Sequence, residues 1–95
     1  MKIYQSKTFA RKVRKFNQRD KNQLDKEIKK IMENPSSTGT EKKGDLQGVF
    51  VHKFHLHNQL FLLAYRFTSK EALELIMIGP HENYYRDLKK RLRTT

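Results

Sequence analysis

The chain contains no cysteine, so it can form neither a disulfide framework nor a thiolate zinc site. Its first residues, MKIYQSKTF, lack the apolar core of a secretory signal, and no hydrophobic run approaches the length needed to cross a bilayer. At 95 residues the chain has room for one modest hydrophobic core. These absences favour a small cytoplasmic protein with no transmembrane segment.

Acidic residues are scarce: the chain has 10 Asp and Glu residues but 21 Lys and Arg residues, and its formal net charge is +11. No acidic residue precedes Asp20, whereas five cations lie between residues 7 and 15. This charge opposes compaction by self-repulsion and favours an anionic partner: a nucleic acid, a membrane surface or an acidic protein. The early cations belong either to a solvated helix face or to a phosphate-binding one.

One stretch, Gly48 to Phe67, organises the rest of the chain. Val49 to His57 alternates between apolar side chains on one side and polar, cationic ones on the other, which predicts a half-buried strand. Asn58-Gln59 is the predicted turn. The almost continuous apolar run from Leu60 to Phe67 then predicts a central strand that is covered on both faces.

Two helices are predicted before this hairpin, with Ser6 and Asn17 as their N-caps. Apolar residues follow each cap at helical spacing, namely Phe9, Val13 and Phe16, then Leu24, Ile28, Ile31 and Met32. The mixed-charge outer face of the second helix, which includes Asp20 and Glu27, is interpreted as solvated and without a site. We expect the apolar stripe of the helices to cover the sheet and residues from Pro35 to Gly48 to form a loop.

The remaining segments complete an α+β two-layer domain, a helical hairpin packed on a small antiparallel sheet, in the order β-α-α-β-β-β-α. Lys2 to Gln5 fits a short first strand. After a polar turn, Leu73, Leu75 and Met77 alternate with their neighbours and predict a strand that is antiparallel to the previous one and ends at Gly79-Pro80. A short basic helix follows, with cations at Arg86, Lys89, Lys90, Arg91 and Arg93.

Four residues form a candidate catalytic set: Lys53, His55, His81 and Tyr85. Lys53 and His55 share a strand face, His81 follows the last strand, and Tyr85 lies one helical turn beyond His81 if a helix begins there. Such a set suits RNA cleavage by transesterification, since histidine can move the protons and lysine can stabilise charge on the phosphoryl oxygens. Tyrosine can stack on a base or orient the nucleophile. The reaction requires no metal or cofactor.

Each residue also has an ordinary structural interpretation. Lys53 and His55 fit a solvated strand face, and Tyr85 fits packing. His52 lies on the apolar side of its strand and is predicted to be a hydrogen-bonded structural histidine, whereas His57 is predicted to be exposed at the turn.

The segments GDLQGVFVHKFHLHNQLFLLAYRF and ELIMIGPHENYYRDLKK resemble the RelE/ParE superfamily of bacterial type II toxins. The resemblance covers nearly the whole chain and includes Gly48, Tyr65-Arg66-Phe67 and Gly79-Pro80-His81. It implies a single RelE/ParE-like toxin domain over residues 1–95. RelE-like and YafQ-like members cleave mRNA in the ribosomal A site, whereas ParE-like members inhibit DNA gyrase.

The resemblance matches Lys53 and His55 to a basic pair, His81 to the Arg or His after the last strand, and Tyr85 to a terminal aromatic residue. It implies His55 as base and His81 as acid, or the reverse, with Lys53 as electrostatic stabiliser. Leu62 occupies the position of a catalytic arginine in RelE-like toxins, and Arg66 lies further along. The nuclease branch is favoured; the alternatives are gyrase inhibition and a non-catalytic toxin-like binding module.

The resemblance also implies an acidic antitoxin as partner, together with the ribosome and mRNA, and no membrane. The cations expected to contact RNA are Lys42, Lys43, Arg66, Arg86, Lys89, Lys90, Arg91 and Arg93.

Overall fold

The computed structural model of the chain describes residues 1–93. Its elements are β1 (Lys2–Gln5), α1 (Lys7–Arg14), α2 (Gln18–Glu33), α3 (Pro35–Thr38), β2 (Thr40–Glu41), a 3₁₀ turn (Gly44–Leu46), β3 (Phe50–Leu56), β4 (Gln59–Ser69), β5 (Ala72–Pro80) and α4 (Tyr84–Arg93). The predicted α+β fold is confirmed, with helices packed on a five-stranded sheet.

The strands lie in the order β1-β5-β4-β3-β2, so β4 is the central strand. β1 pairs in parallel with β5, and the other neighbours pair antiparallel. β2 is short and reaches only Phe50 and Val51 of β3. Residues 52–56 of β3 therefore lie at an edge of the sheet that no other described strand covers.

The helical hairpin covers one face of the sheet. Ser6 caps α1 by accepting a hydrogen bond from the Phe9 amide, and Asn17 caps α2 by accepting one from the Asp20 amide, as the sequence predicts. The core of this face is fully enclosed and consists of Phe9, Leu24, Ile31, Phe50, Phe54, Leu56, Phe61, Leu63, Tyr65, Leu73, Leu75 and Ile78. Met32, expected in the stripe, is instead 39% exposed.

α4 covers part of the opposite face, which the alternation of β3 had indicated to be polar. A second core forms there from Leu46, Val49, Val51, Leu62, Ala64, Ile76, Met77, Tyr84 and Leu88. The irregular register between Ala64 and Tyr65 leaves Ile76 unpaired on β5, so that Met77 faces α4 while Leu75 faces the hairpin. The simple alternation predicted for this strand is therefore wrong, because a β-bulge adds one residue.

The segment from Pro35 to Gly48 is more ordered than the predicted loop, because Tyr65 of β4 ties it to the sheet. The Tyr65 hydroxyl donates to the Pro35 carbonyl (2.6 Å) and accepts from the Gly39 amide (2.9 Å). A Cβ on Gly39 would lie 2.6 Å from this hydroxyl, so the close approach requires glycine. Burial raises the pKa of the Tyr65 phenol, which therefore remains a donor.

The β3–β4 turn lies one residue earlier than predicted, at His57-Asn58. Both residues have positive φ, 53° and 60°. Two consecutive residues in this region form the tight turn that suits the twist of antiparallel strands. Gln59 is consequently the first residue of β4.

Candidate functional site

The sheet register places His55 and His81 in one row. His55 pairs with Leu60 of β4, and the His81 amide donates to the Leu60 carbonyl (3.0 Å), which continues the β4–β5 register past Pro80. Because neighbouring strands are about 4.8 Å apart, the two histidine backbones are separated by about 10 Å. Two imidazoles at this spacing can approach one phosphodiester from opposite sides.

The next row toward α4 contains Lys53, Leu62 and Gly79. Leu62 is fully buried beneath α4 and Gly79 is buried too, so Lys53 is the exposed residue of these three. The Tyr84 ring lies 3.8 Å from the place where a Cβ on Gly79 would stand.

Lys53, His55 and His81 are all exposed. Within residues 1–93, none of their three side chains takes part in a hydrogen bond or an ion pair. Polar side chains that no neighbouring group holds in place remain available to a ligand. The structure therefore brings these three predicted residues to one solvent-facing end of the sheet.

Tyr85 does not lie where the sequence reasoning put it. α4 begins at Tyr84, and Asn83 has a positive φ of 60°, so His81 and Tyr85 are not one helical turn apart. Tyr85 is half-buried against the second core, and the Lys42 ammonium lies 5.1 Å from the centroid of its ring. Tyr85 is thus a packing residue with a cation–π contact.

Tyr84, which the sequence reasoning did not select, fixes α4 on the sheet. It is 2% exposed, and its hydroxyl donates to the Met77 carbonyl (2.7 Å). Burial raises the pKa of this phenol strongly, so that it remains a donor. Helical spacing from Leu88 places Tyr84 on the same buried side, and this was the available sequence signal.

A model of the family described as ParE-like toxins of type II bacterial toxin–antitoxin systems matches residues 3–89. The chain belongs to this family. The resemblance to the RelE/ParE superfamily drawn from the sequence is thereby confirmed. No curated protein sequence matches the toxin.

Two solved structures from E. coli share the fold of the toxin. A chain of the intact RelBE toxin–antitoxin complex superposes with a TM-score of 0.67 at 20% identity, covering 85% of this chain and 96% of that chain. The isolated RelE toxin superposes with a TM-score of 0.65 at 19% identity, covering 96% and 97%.

Arg66 of the toxin is not positioned to replace the arginine that the resemblance expects at Leu62. Its Nε donates to the Glu74 carboxylate (2.9 Å). It also lies four residues further along β4, a distance of about 13 Å at the usual rise of a strand. Arg66 therefore does not take the place of the missing arginine, and its predicted contact with RNA, which would compete with the Glu74 pair, stays a prediction.

The other cations proposed for RNA contact are spread along the segment before β3 and the outer side of α4. Lys43, Lys89 and Lys90 are exposed. Arg86 approaches its neighbour Asp87 (3.5 Å), and Arg93 lies 3.9 Å from Asp45. Such exposed pairs contribute little and exchange readily with solvent or phosphate. These residues, together with Lys42 and the half-buried Arg91, lie on α4 or in the segment before β3. They do not lie in the row of His55 and His81.

His52 is a hydrogen-bonded structural histidine, as the sequence suggested. Its Nε2 lies 2.8 Å from Glu27 Oε1, and Glu27 also accepts from Gln23 (2.8 Å) and Lys30 (3.5 Å). Glu27 is only 4% exposed, so the interpretation of its helix face as wholly solvated is wrong. Burial by itself raises the Glu27 pKa, but the His52 hydrogen bond and the Lys30 charge outweigh it, and the pKa lies below its usual value.

No group of three or more His, Cys, Asp and Glu side chains in residues 1–93 could hold a metal ion. Similarly, none of the helices there has the length and apolar character required to cross a bilayer.

Proposed function

We propose that this toxin is an endoribonuclease that cleaves mRNA on the ribosome by 2′-hydroxyl transesterification. The observation that supports this best is the row of His55 and His81, with Lys53 in the adjoining row, all exposed and unpaired within the described residues. Two groups that can transfer protons, with a lysine nearby that can stabilise phosphoryl charge, suit phosphodiester cleavage.

His55, His81 and Lys53 can supply every group that the reaction needs. One histidine, His55 in our assignment, takes the proton of the ribose 2′-hydroxyl as that oxygen attacks phosphorus. The bond from phosphorus to the 5′-oxygen breaks, and His81 gives its proton to that oxygen. Lys53 stabilises the negative charge on the phosphoryl oxygens. The products are a 2′,3′-cyclic phosphate and a free 5′-hydroxyl, and exchanged roles for the two histidines give the same products.

The charge of the toxin supports the proposed partners. Five cations on and beside α1 have no ion-pair partner within residues 1–93: Lys7, Arg11, Lys12, Arg14 and Lys15. Such a surface suits ribosomal RNA in the cytoplasm and equally an acidic antitoxin. The E. coli neighbour of this fold is found in a complex with its antitoxin, which supports the same kind of partner here.

The presence of Leu62 supports a second candidate function. In this alternative the toxin does not cleave RNA but inhibits DNA gyrase or acts as a binding module. Leu62 is fully buried between Lys53 and Gly79, so this row offers one cation to a phosphate instead of two. The two candidates differ in what they require of the histidines. Cleavage needs both histidine side chains, whereas gyrase inhibition or binding alone does not.

The experiment is primer extension on a reporter mRNA after brief induction of the toxin. The variants are His55→Ala, His81→Ala and, as a matched control that alters an exposed residue of α2, Lys29→Ala. We expect in-frame cuts with wild type and Lys29→Ala, and no cuts with either histidine variant. Intact message alongside arrested growth would contradict the proposal, and DNA supercoiling in the same cells would then test gyrase.

A further inference from the structure

A polar groove lies between the start of α2 and the β3–β4 turn. Its volume is about 680 Å³. The lining residues are Arg19, Asp20, Asn22, Gln23, Lys26, His55, Leu56, His57 and Asn58. Because β2 does not extend along this part of β3, no described strand closes the groove. His55 lines this groove and also belongs to the His55–His81 row.

His57 is held in the groove by Asp20. The His57 Nε2 lies 2.6 Å from the Asp20 Oδ2, although the two residues are 37 positions apart in the chain. The Asp20 side chain is 13% exposed, and that of His57 is 57% exposed. A carboxylate that engages one ring nitrogen orients the imidazole, and the other nitrogen, Nδ1, has no hydrogen-bond partner within residues 1–93.

The charges around His57 favour an anion. Arg19 and Lys26 of α2 are exposed and have no ion-pair partner within residues 1–93, and Asp20 carries the single negative charge of the lining. The groove thus has a charge of +1 with neutral imidazoles. Protonation of His55 and His57 raises it to +3. Since histidine is the side chain whose charge changes between pH 5 and 8, anion affinity here depends on pH.

We propose that this groove, formed by Arg19, Lys26 and the Asp20-held His57, binds a backbone phosphate of single-stranded RNA next to the scissile one. This inference rests on the proposed function. His55 is the link between the two sites, because an RNA strand with one phosphate at the His55–His81 row would reach the groove by passing around the edge of β3 that β2 leaves uncovered. The His57 imidazolium donates its Nδ1–H to the phosphate, and the two longer cations contact it from α2.

Binding is measured separately from cleavage, with a fluorescently labelled single-stranded oligoribonucleotide in which every ribose is 2′-O-methylated. This RNA lacks the attacking hydroxyl and remains intact. We expect Arg19→Ala with Lys26→Ala to weaken its binding by about tenfold, since two charge-assisted contacts are lost. The slope of log binding constant against log salt concentration should become smaller in magnitude by about 0.7, because one phosphate contact is lost. Lys29→Ala, on the same helix but outside the groove, should change affinity less than twofold by the same reasoning.

The role of His57 is tested with His57→Asn. Asparagine tolerates positive φ and its amide can still donate to Asp20, so the turn is kept while the titrating group is lost. Wild-type toxin should bind the oligonucleotide several-fold more tightly at pH 5.5 than at pH 7.5. The His57→Asn variant should lose a large part of that gain. Asp20→Asn should lose part of it too, whereas the matched Asp25→Asn should not.

Several outcomes would overturn the proposal. If RNA affinity depended on pH equally in wild type and His57→Asn, the role of His57 would be limited to stabilising the β3–β4 turn. Unchanged RNA affinity in the Arg19→Ala/Lys26→Ala variant, with weaker antitoxin binding, would show a protein-docking surface instead. Competition by inorganic phosphate without any groove-dependent RNA binding would indicate an anion site that RNA does not use.

The test separates this inference from the proposed nuclease. If the reporter mRNA stays intact in cells but oligonucleotide binding depends on Arg19, Lys26 and His57, the groove is supported and the nuclease is wrong. If the message is cut but these variants bind and cut like wild type, the nuclease is supported and the groove proposal is wrong.

Discussion

The two faces of the sheet differ in how completely helices cover them. On the hairpin face, α1 and α2 enclose a continuous core that includes Phe9, Ile31 and Leu63, each fully buried. On the opposite face, α4 covers the row of Val51, Ala64 and Met77 and stops before the row of His55 and His81. The strands therefore carry packing residues on both faces, and the part of the second face that α4 leaves uncovered carries the exposed residues Lys53, His55 and His81.

This difference follows from the length of the covering elements. At 1.5 Å per residue, the 16-residue α2 is about 24 Å long and the 10-residue α4 about 15 Å. A short helix leaves part of the face uncovered, and charged side chains can occupy that part without the cost of desolvation. The hairpin face is thus expected to determine stability, and the open end of the α4 face to determine activity.

Removal of a hairpin-face aromatic side chain tests this division most strongly. Phe9→Ala should reduce the free energy of unfolding by about 3–5 kcal/mol, because a fully buried ring is replaced by a cavity. Urea denaturation followed by circular dichroism measures it. Tyr4→Ala, at an aromatic residue that is 51% exposed, serves as control and should cost less than about 1 kcal/mol. Similar losses in both variants would contradict the assignment of the core.

Glu27→Gln tests the one buried carboxylate on the hairpin face. Loss of the charge from the His52 and Lys30 contacts should cost about 1–3 kcal/mol near neutral pH. Because the folded-state pKa of Glu27 lies below its ordinary value of 4.5, its contribution is present above that value and disappears as pH falls through the lowered folded pKa.

The measurement is the unfolding free energy of wild type and variant between pH 7 and pH 3. The difference between them should shrink at the acid end. Glu33→Gln, at an exposed carboxylate of the same helix, should show neither the loss nor the pH dependence. A difference that stays constant down to pH 3 would rule out the proposed ion pair.

Tyr84→Phe tests how α4 is attached to its face. The hydroxyl bond to the Met77 carbonyl is buried, so its loss should cost about 1 kcal/mol in thermal or urea unfolding. Tyr85→Phe is the neighbouring control, since its hydroxyl makes no hydrogen bond within residues 1–93. If both variants lose equal stability, the Tyr84 bond does not hold the helix.

Lys53→Ala should have the smallest effect on stability and a large one on activity. Its side chain is exposed and unpaired, so the unfolding free energy should change by less than about 0.5 kcal/mol. Reporter cleavage should nevertheless be lost, because the cation beside the phosphate is removed. A folded Lys53→Ala variant that cuts as wild type does would assign this lysine to an ordinary solvated strand face.

Local periodicity predicted much of this fold. The alternation in β3 assigned Phe54 and Lys53 to opposite faces correctly, because a strand has a period of two wherever it is regular. The same reasoning failed on β5, where a bulge moves Met77 to the other face. Glu27 could have been placed correctly, since it lies three residues after Leu24 and four before Ile31 on the buried side of α2.

Only part of the candidate site could be predicted from the sequence. Lys53 and His55 share a face by local geometry, but His81 joins them only through pairing with Leu60 of another strand. Tyr85 was misplaced because the chain turns at Asn83 before the helix begins. Asp20 and His57 carried no signal at all, since nothing in a chain marks two residues 37 positions apart as neighbours.

The sequence by itself therefore determined helices α1 and α2 with their caps, the strand hairpin, the excess of positive charge and the family. These properties depend on residues within a few positions of one another, or on composition. Only the tertiary structure decided which cations remain unpaired, which tyrosine is buried, how far α4 covers its face, and which histidine meets an aspartate. Those properties depend on strand register and helix packing, which bring together residues that no local spacing connects.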